Sequence, residues 1–167
     1  MIEHAAVTDT RRLDAADWRL FRDVQLAGLL DAPYSANLTH AQAARRTEIE
    51  WRHKLSVQAV FATARDGKAV GIAGGRLEPD AETPTLVSLW VAPDARGLGV
   101  GDELVRTVLE WARGEGHRRI TLWVLDSNAP AERLYRRHGF QRTGQRRAMP
   151  RDATMIEVEM ALDLHEA

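Results

Sequence analysis

The period of the hydrophobic positions changes several times along the chain, and each change marks an element. Residues 2–8 read as a short first strand. Trp18, Phe21, Leu26 and Leu29/Leu30 then recur at helical spacing, which predicts an amphipathic helix capped by Asp14 or Asp17 and running to about Leu30. "DAPYS" at 31–35 breaks it, and a polar second helix follows from a Thr39 cap to about Lys54, with Ile49 and Trp51 as its main large apolar anchors. Two β-rich runs flank Asp66-Gly67, a strong hairpin signal. "GGR" at 74–76 ends or bulges the second run, and "TPTLVSLWVAP" is a third, stopped by Pro93. Leu104, Val105, Val108, Leu109 and Ala112 then return to helical spacing, with Gly114 and Gly116 as stops. "RRITLWVLD" is almost continuously apolar, the mark of a central strand, and "NAPAERLYRRHG" is a short helix closed by Gly139. "FQRTGQRRAM" and "TMIEVEMALDL" read as a final antiparallel pair, with Met155, Glu157 and Glu159 alternating with Ile156, Val158 and Met160.

The resulting order is β-α-α-β-β-β-α-β-α-β-β. Antiparallel strands come first, then a β-α-β crossover that is parallel if it stays in one sheet. This predicts an α/β (α+β) fold with a mixed sheet, and 167 residues suit a single domain spanning 1–167. The formal net charge of −1 supplies no basic field for nucleic acid or an anionic membrane, so neither is expected as a partner. The chain has 21 arginines and two lysines, Lys54 and Lys68, a bias that matches a GC-rich genome. The absence of cysteine excludes disulfides, zinc–thiolate sites and a cysteine nucleophile. It also fits the cytoplasm, as does an N-terminus without the apolar core of a signal peptide. The six histidines form no i,i+4 pair, and no metal is expected.

Gly97, Gly99 and Gly101 stand where the third β-rich run hands over to a helix. A helix start offers unsatisfied backbone N–H groups and a partial positive charge. Glycines there either admit an anion to those amides or supply a tight turn that needs φ > 0. A nucleotide P-loop requires Gly-Lys-Ser/Thr, but Asp102-Glu103 follows Gly101. The spacing G-x-G-x-G also departs from the dinucleotide G-x-G-x-x-G.

The run R-x-x-G-x-G from Arg96 to Gly101, after an apolar strand and Pro93 and before an amphipathic helix, resembles the acyl-CoA pyrophosphate loop of the GNAT superfamily of N-acyltransferases. Asn128, Ala131, Leu134, Tyr135, Gly139 and Phe140 match that superfamily's second signature in order, so the resemblance is close over about 86–144. It implies a mostly antiparallel sheet with a bulged, splayed central strand pair and acetyl-CoA in the gap. The strand segment Leu89, Trp90 and Val91 would pair with pantetheine, and the Val91 N–H would stabilise the oxyanion. The amides of Arg96, Gly97, Leu98, Gly99, Val100, Gly101 and Asp102 would hold the pyrophosphate. Asn128 would contact the pantetheine arm, Ala131 and Ala129 would leave it room, and Tyr135 would protonate the leaving thiolate. Tyr135 taken alone reads first as a core aromatic on a short helix, and the surrounding motif reverses that order.

The expected reaction is direct attack by a small-molecule primary amine in a ternary complex. Transfer to protein lysines or N-termini, and a non-catalytic acyl-CoA sensor, are the alternatives. Members acting on ribosomal N-termini often carry Glu where this chain has Trp123, which counts against that substrate. Trp90 and Trp123 serve either as core packing or as an aromatic wall for the acceptor, and Tyr34 and Ser35 lie where the superfamily often builds its acceptor pocket. Glu82, Glu78, His53 and Asp126 are candidate bases by position. Asp102 is expected to face solvent or a basic partner such as Arg106, and His138 to be a solvated helix end. The C-terminal strand pair offers an edge for a homodimer.

Overall fold

Asp66 and Gly67 take φ of 51° and 80°, the pair of positive values that a type I′ turn requires. That turn joins β2 (Gln58–Arg65) to β3 (Lys68–Arg76), the hairpin on which the sheet is built. The structure, a computed structural model, describes residues 6–34 and 36–164. Among the described residues the sheet has seven strands, adding β1 (Thr8–Arg12), β4 (Thr85–Val91), β5 (Arg119–Leu125), β6 (Gln141–Met149) and β7 (Asp152–Asp163) in the order β1-β2-β3-β4-β5-β7-β6. The helices are α1 (Trp18–Asp31), α2 (His40–Ala44), α3 (Glu48–Val57), α4 (Val100–Gly114) and α5 (Ala129–Arg137). No helix among the described residues is long and apolar enough to cross a membrane.

Helices cover both faces of the sheet. Ala59 and Phe61 of β2 join the core under α4, built on Leu104, Val105 and Val108. Val60 and Ala62 join the opposite core, under Phe21 of α1 and Trp51 of α3, whose rings meet edge-on at 5.3 Å. A strand buried on both faces has no polar side, which is why β2 reads as a continuous apolar run. The close approach of α4 to β3 depends on Gly75, where a Cβ would stand 2.2 Å from the Trp111 ring.

Two expected elements are redrawn. The first strand begins at Thr8, not at residue 2; residues 2–5 lie outside the described residues. It is a polar edge strand whose register comes from pairing, including a Thr10–Thr63 hydroxyl hydrogen bond at 2.7 Å, so no apolar period announces it. The second helix is two helices. Thr47 starts α3 with its own capping box: the Glu50 N–H donates to Thr47 Oγ1 at 3.3 Å, and the Thr47 N–H to Glu50 Oε2 at 2.7 Å. This rotates Ile49 into solvent at 79% exposed, and Leu55 joins Trp51 in the core.

The central strands carry the main irregularity. β4 and β5 run parallel, as the right-handed crossover through α4 requires, but pair only at Thr85↔Thr121. On its other edge β4 slips against β3: Ile72 faces Trp90, whereas Gly74 faces Val87. Ser88 and Leu89 thus have no partner on either neighbouring strand, and Ser88 takes φ of 60°. A bulge of this kind increases strand twist and turns the strand out of line. The expected splayed pair is β4 and β5.

Candidate active site

The far end of β4 turns backbone groups into the gap. The Ala92 N–H donates to the Val70 carbonyl at 2.7 Å, on the β3 side. Bonding direction alternates along an antiparallel pair, so Val91, opposite Gly71, turns its N–H and carbonyl towards β5. Arg96 Nε donates to that carbonyl at 3.1 Å, and the Arg96 guanidinium ion-pairs with Asp31 of α1. Trp90 Nε1 donates to the same carboxylate at 3.0 Å. The Trp90 and Arg96 side chains therefore brace the loop against α1.

Beyond Arg96 the chain passes through Gly97 and Gly99, with φ of 75° and 84°, and Gly99 is the N-cap of α4 without any side-chain cap. The first closing bond of the helix runs from the Glu103 N–H to the Gly99 carbonyl at 3.0 Å. The amides of Val100, Gly101 and Asp102 precede it and have no acceptor within the helix. A Cβ on Gly97 or Gly99 would touch nothing within 4 Å, so left-handed backbone, not crowding, demands glycine there. Gly101 differs: its Cβ would lie 3.2 Å from Leu134 Cδ2, where α4 packs on α5. The Arg96 amide closes the preceding 3-10 turn on the Pro93 carbonyl at 3.4 Å and is not free in the way the later amides are.

Asp102 does not reach Arg106, which pairs with Glu103 at 3.2 Å. It pairs across to α5, with Arg137 at 3.1 Å and His138 Nε2 at 2.8 Å. Burial alone pushes this carboxyl up, but the hydrogen bonds from Arg137 and His138 outweigh it and hold it below the usual carboxylate range. The His138 side chain is 10% exposed, so it is a tie between helices, not a solvated end.

On the other wall, Asn128 caps α5 by accepting the Ala131 N–H at 3.3 Å. Asn128, Ala131 and Tyr135 line one cleft with Leu89, while Trp90 and Val91 are not among its described lining residues. Tyr135 is buried and meets Phe140 edge-on at 5.9 Å. Burial pushes its phenol well above the ordinary value, so it carries its proton at neutral pH.

The cleft holds about 480 Å³ and opens between β4, β5 and the segment after α1. Trp123 faces it, with the Arg147 guanidinium 4.0 Å from the ring centroid. Arg147 Nε donates to Glu157 Oε2 at 2.7 Å, and Asn37 Nδ2 donates to Glu157 Oε1 at 3.4 Å. Trp90 instead packs against Gly28 and lines a smaller neighbouring pocket of about 40 Å³. Tyr34 is 54% exposed beside Arg151 and is not among the described lining residues; Ser35 lies outside the described residues.

None of Glu78, Glu82, His53 and Asp126 is among the described lining residues. Glu78 pairs with Arg76 at 2.7 Å, and Asp126 with Arg142 at 2.9 Å and Arg146 at 3.1 Å. The carboxylate in the cleft is Glu157, 6% exposed. No sequence signal marks Glu157, because alternation on β7 does not say which face looks into a cleft. Lys54 and Arg46 also line the cleft unforeseen, although a lone lysine in an arginine-rich stretch was a signal.

The model of the acetyltransferase (GNAT) family matches residues 24–140, and the chain belongs to that family. It is 35% identical over 98 residues to the "Probable N-acetyltransferase camello" of Xenopus tropicalis, covering 58% of this chain and 45% of that one. It is 37% identical over 79 residues to Streptothricin acetyltransferase of Streptomyces lavendulae, covering 47% and 42%. It is 37% identical over 83 residues to Mycothiol acetyltransferase of Thermomonospora curvata, covering 50% and 28%. The matches thus span less than half the length of these relatives. A GNAT-family acetyltransferase from Streptococcus pneumoniae superposes with a TM-score of 0.82 at 20% identity, over 95% of this chain and 100% of that one. The Salmonella typhimurium protein yncA, solved with its cofactor acetyl-CoA, gives 0.77 at 19% identity, over 96% of each chain.

Proposed function

We propose that the protein transfers an acetyl group from acetyl-CoA to a primary amine of a small molecule, by direct attack in a ternary complex. The observation that carries this reading is the splay itself. It has unpaired β4 backbone, an uncapped α4 start at one end and a protonated phenol in the cleft wall. The amides of Gly97 to Asp102 hold the diphosphate, where the helix dipole favours anions. The Ser88–Leu89 bulge and Val91 present main-chain groups to the pantetheine arm, with Asn128 and Ala131 on its other side. Two relatives are named for small molecules, streptothricin and mycothiol, which supports a small acceptor.

The amine nitrogen forms a bond to the thioester carbonyl carbon, whose oxygen takes up negative charge facing the Val91 N–H. The C–S bond then breaks, and the Tyr135 phenol gives its proton to the departing thiolate. Glu157 attracts the incoming ammonium and takes the proton it loses before attack, directly or through a water, and the second N–H proton, released as the tetrahedral intermediate collapses, restores the Tyr135 phenol. Thiol release measured against a panel of small amines and peptides tests the reading. Tyr135→Phe should lower kcat by about 100-fold or more, the usual scale of general acid catalysis, with little change in acetyl-CoA affinity. Tight acetyl-CoA binding with no transfer to any amine would instead identify a sensor.

A further inference from the structure

Resting on the transfer reading, we propose that the acceptor carries an anionic group, a carboxylate or a phosphate-like group, bound by Arg46, Lys54 and Arg76 at the end of the cleft away from the diphosphate loop. Arg76 lies opposite Thr85, the first residue of β4, whereas the glycine loop follows Val91 at the other end. Six steps along a strand at about 3.3 Å each separate the two ends by about 20 Å. These cations are therefore out of reach of the diphosphate.

The cluster converges from three elements: Arg46 from the turn before α3, Lys54 from α3 itself and Arg76 from the end of β3. It lacks a matching negative charge inside the cleft. The described lining residues include four cations, these three and Arg147, against one carboxylate, Glu157, which Arg147 already engages at 2.7 Å. Arg46 Nη1 is buried with no hydrogen-bond partner among the described residues. Glu78 engages Arg76 from outside the cleft at 2.7 Å. Burial, then the like charges of Arg46 and Arg76, pull the Lys54 ammonium down to about 8. Arg46 and Lys54 are half-buried, and an anion that accepts from Arg46 Nη1 offsets both its unmade hydrogen bond and the mutual repulsion of the cluster. Glu157, shared with Arg147, is the one carboxylate among the described lining residues and stands opposite Leu125 of β5, so the cleft suits a molecule with an ammonium at Glu157 and an anion at the cation cluster.

The test measures thiol release by the full chain with a graded series of ω-amino and α-amino compounds, each offered as carboxylate, phosphonate and neutral carboxamide. The expected result is a kcat/KM at least about tenfold higher for an anionic member than for its carboxamide. That ratio should collapse towards one in Lys54→Met and in Arg46→Gln. Because each ratio is taken within one protein, partial loss of folded enzyme does not disturb it. The carboxylate and phosphonate arms identify the anion. Equal use of carboxamides throughout the series, or ratios that the variants leave intact, overturns the proposal while transfer stands. If no amine is acetylated, the transfer reading fails, and the subsite is then judged by fluorescence titration of the acetyl-CoA-loaded protein, with Trp123 as reporter. Carboxylates binding more tightly than carboxamides in the wild type but not in Lys54→Met sustains the subsite. Equal binding, or none, overturns it.

Discussion

Lys54 is a point charge on a flexible stem, and such a group changes its protonation readily when it is buried. Its pKa falls from 10.5 in the free side chain to about 8 in the fold, through burial first and like charges second. Between those values the unfolded chain binds more protons at this site than the folded one, so folding stability rises with pH across the window. Above about 10 the buried Tyr135 opposes this, because the fold retains a phenolic proton that the unfolded chain releases. Urea midpoints should therefore increase from pH 8 to pH 10, and Lys54→Met should be more stable at pH 8 and lose that slope. Tyr135, Asn128 and the glycines were legible because each belongs to a local motif of one turn and one helix. The place of Glu157 in the cleft was not legible, because it depends on burial beside Asn37, 120 positions away along the chain.

The turn into α4 shows how an element's start becomes a candidate site. Gly97 and Gly99 hold left-handed backbone, and Gly99 leaves the helix uncapped. Gly99→Ala forces a Cβ into that conformation at a cost of about 1–2 kcal/mol, with no clash to blame. Its expected outcome is a lower urea midpoint together with weaker acetyl-CoA binding in a titration, since the amides lose their aim. A stability loss with undiminished affinity would detach the loop from diphosphate binding. The periodicity of α4 was readable because its stripe faces one core. The division between α2 and α3 was not, because Arg45 and Arg46 look as helical as their neighbours until Thr47 folds back on Glu50. That restart also sets the direction of α3, and with it the entry of Lys54 into the cleft.

Across the molecule, ion pairs tie the second signature helix to the sheet. Glu132 of α5 pairs with Arg142 of β6 at 2.7 Å and with Arg136 at 2.8 Å. The hydrogen bonds from Arg142, then Arg136, lower its pKa to about 2 from 4.5. Its contribution is present above the unfolded value and disappears as pH falls from about 4.5 towards 2. Glu132→Gln should flatten the acid limb of the stability curve in that window and leave the limb near neutrality in place; an unchanged acid limb would show that the network contributes nothing measurable. Asp102, Arg137 and His138 join α4 to α5 in the same manner, tying the glycine turn to the helix that carries Tyr135.

The sequence by itself determined the elements whose cause is local: the Asp66-Gly67 hairpin, the two-sided strands, the amphipathic α4 and the order of glycines, asparagine and tyrosine. Periodicity and turn chemistry are short-range, so they survive in one dimension. Only the tertiary structure decided where β4 bulges, that β5 meets it at a single pair, and which charges share the cleft. Those outcomes depend on the balance of packing on both sheet faces, and a cleft is made by what neighbouring strands fail to pair.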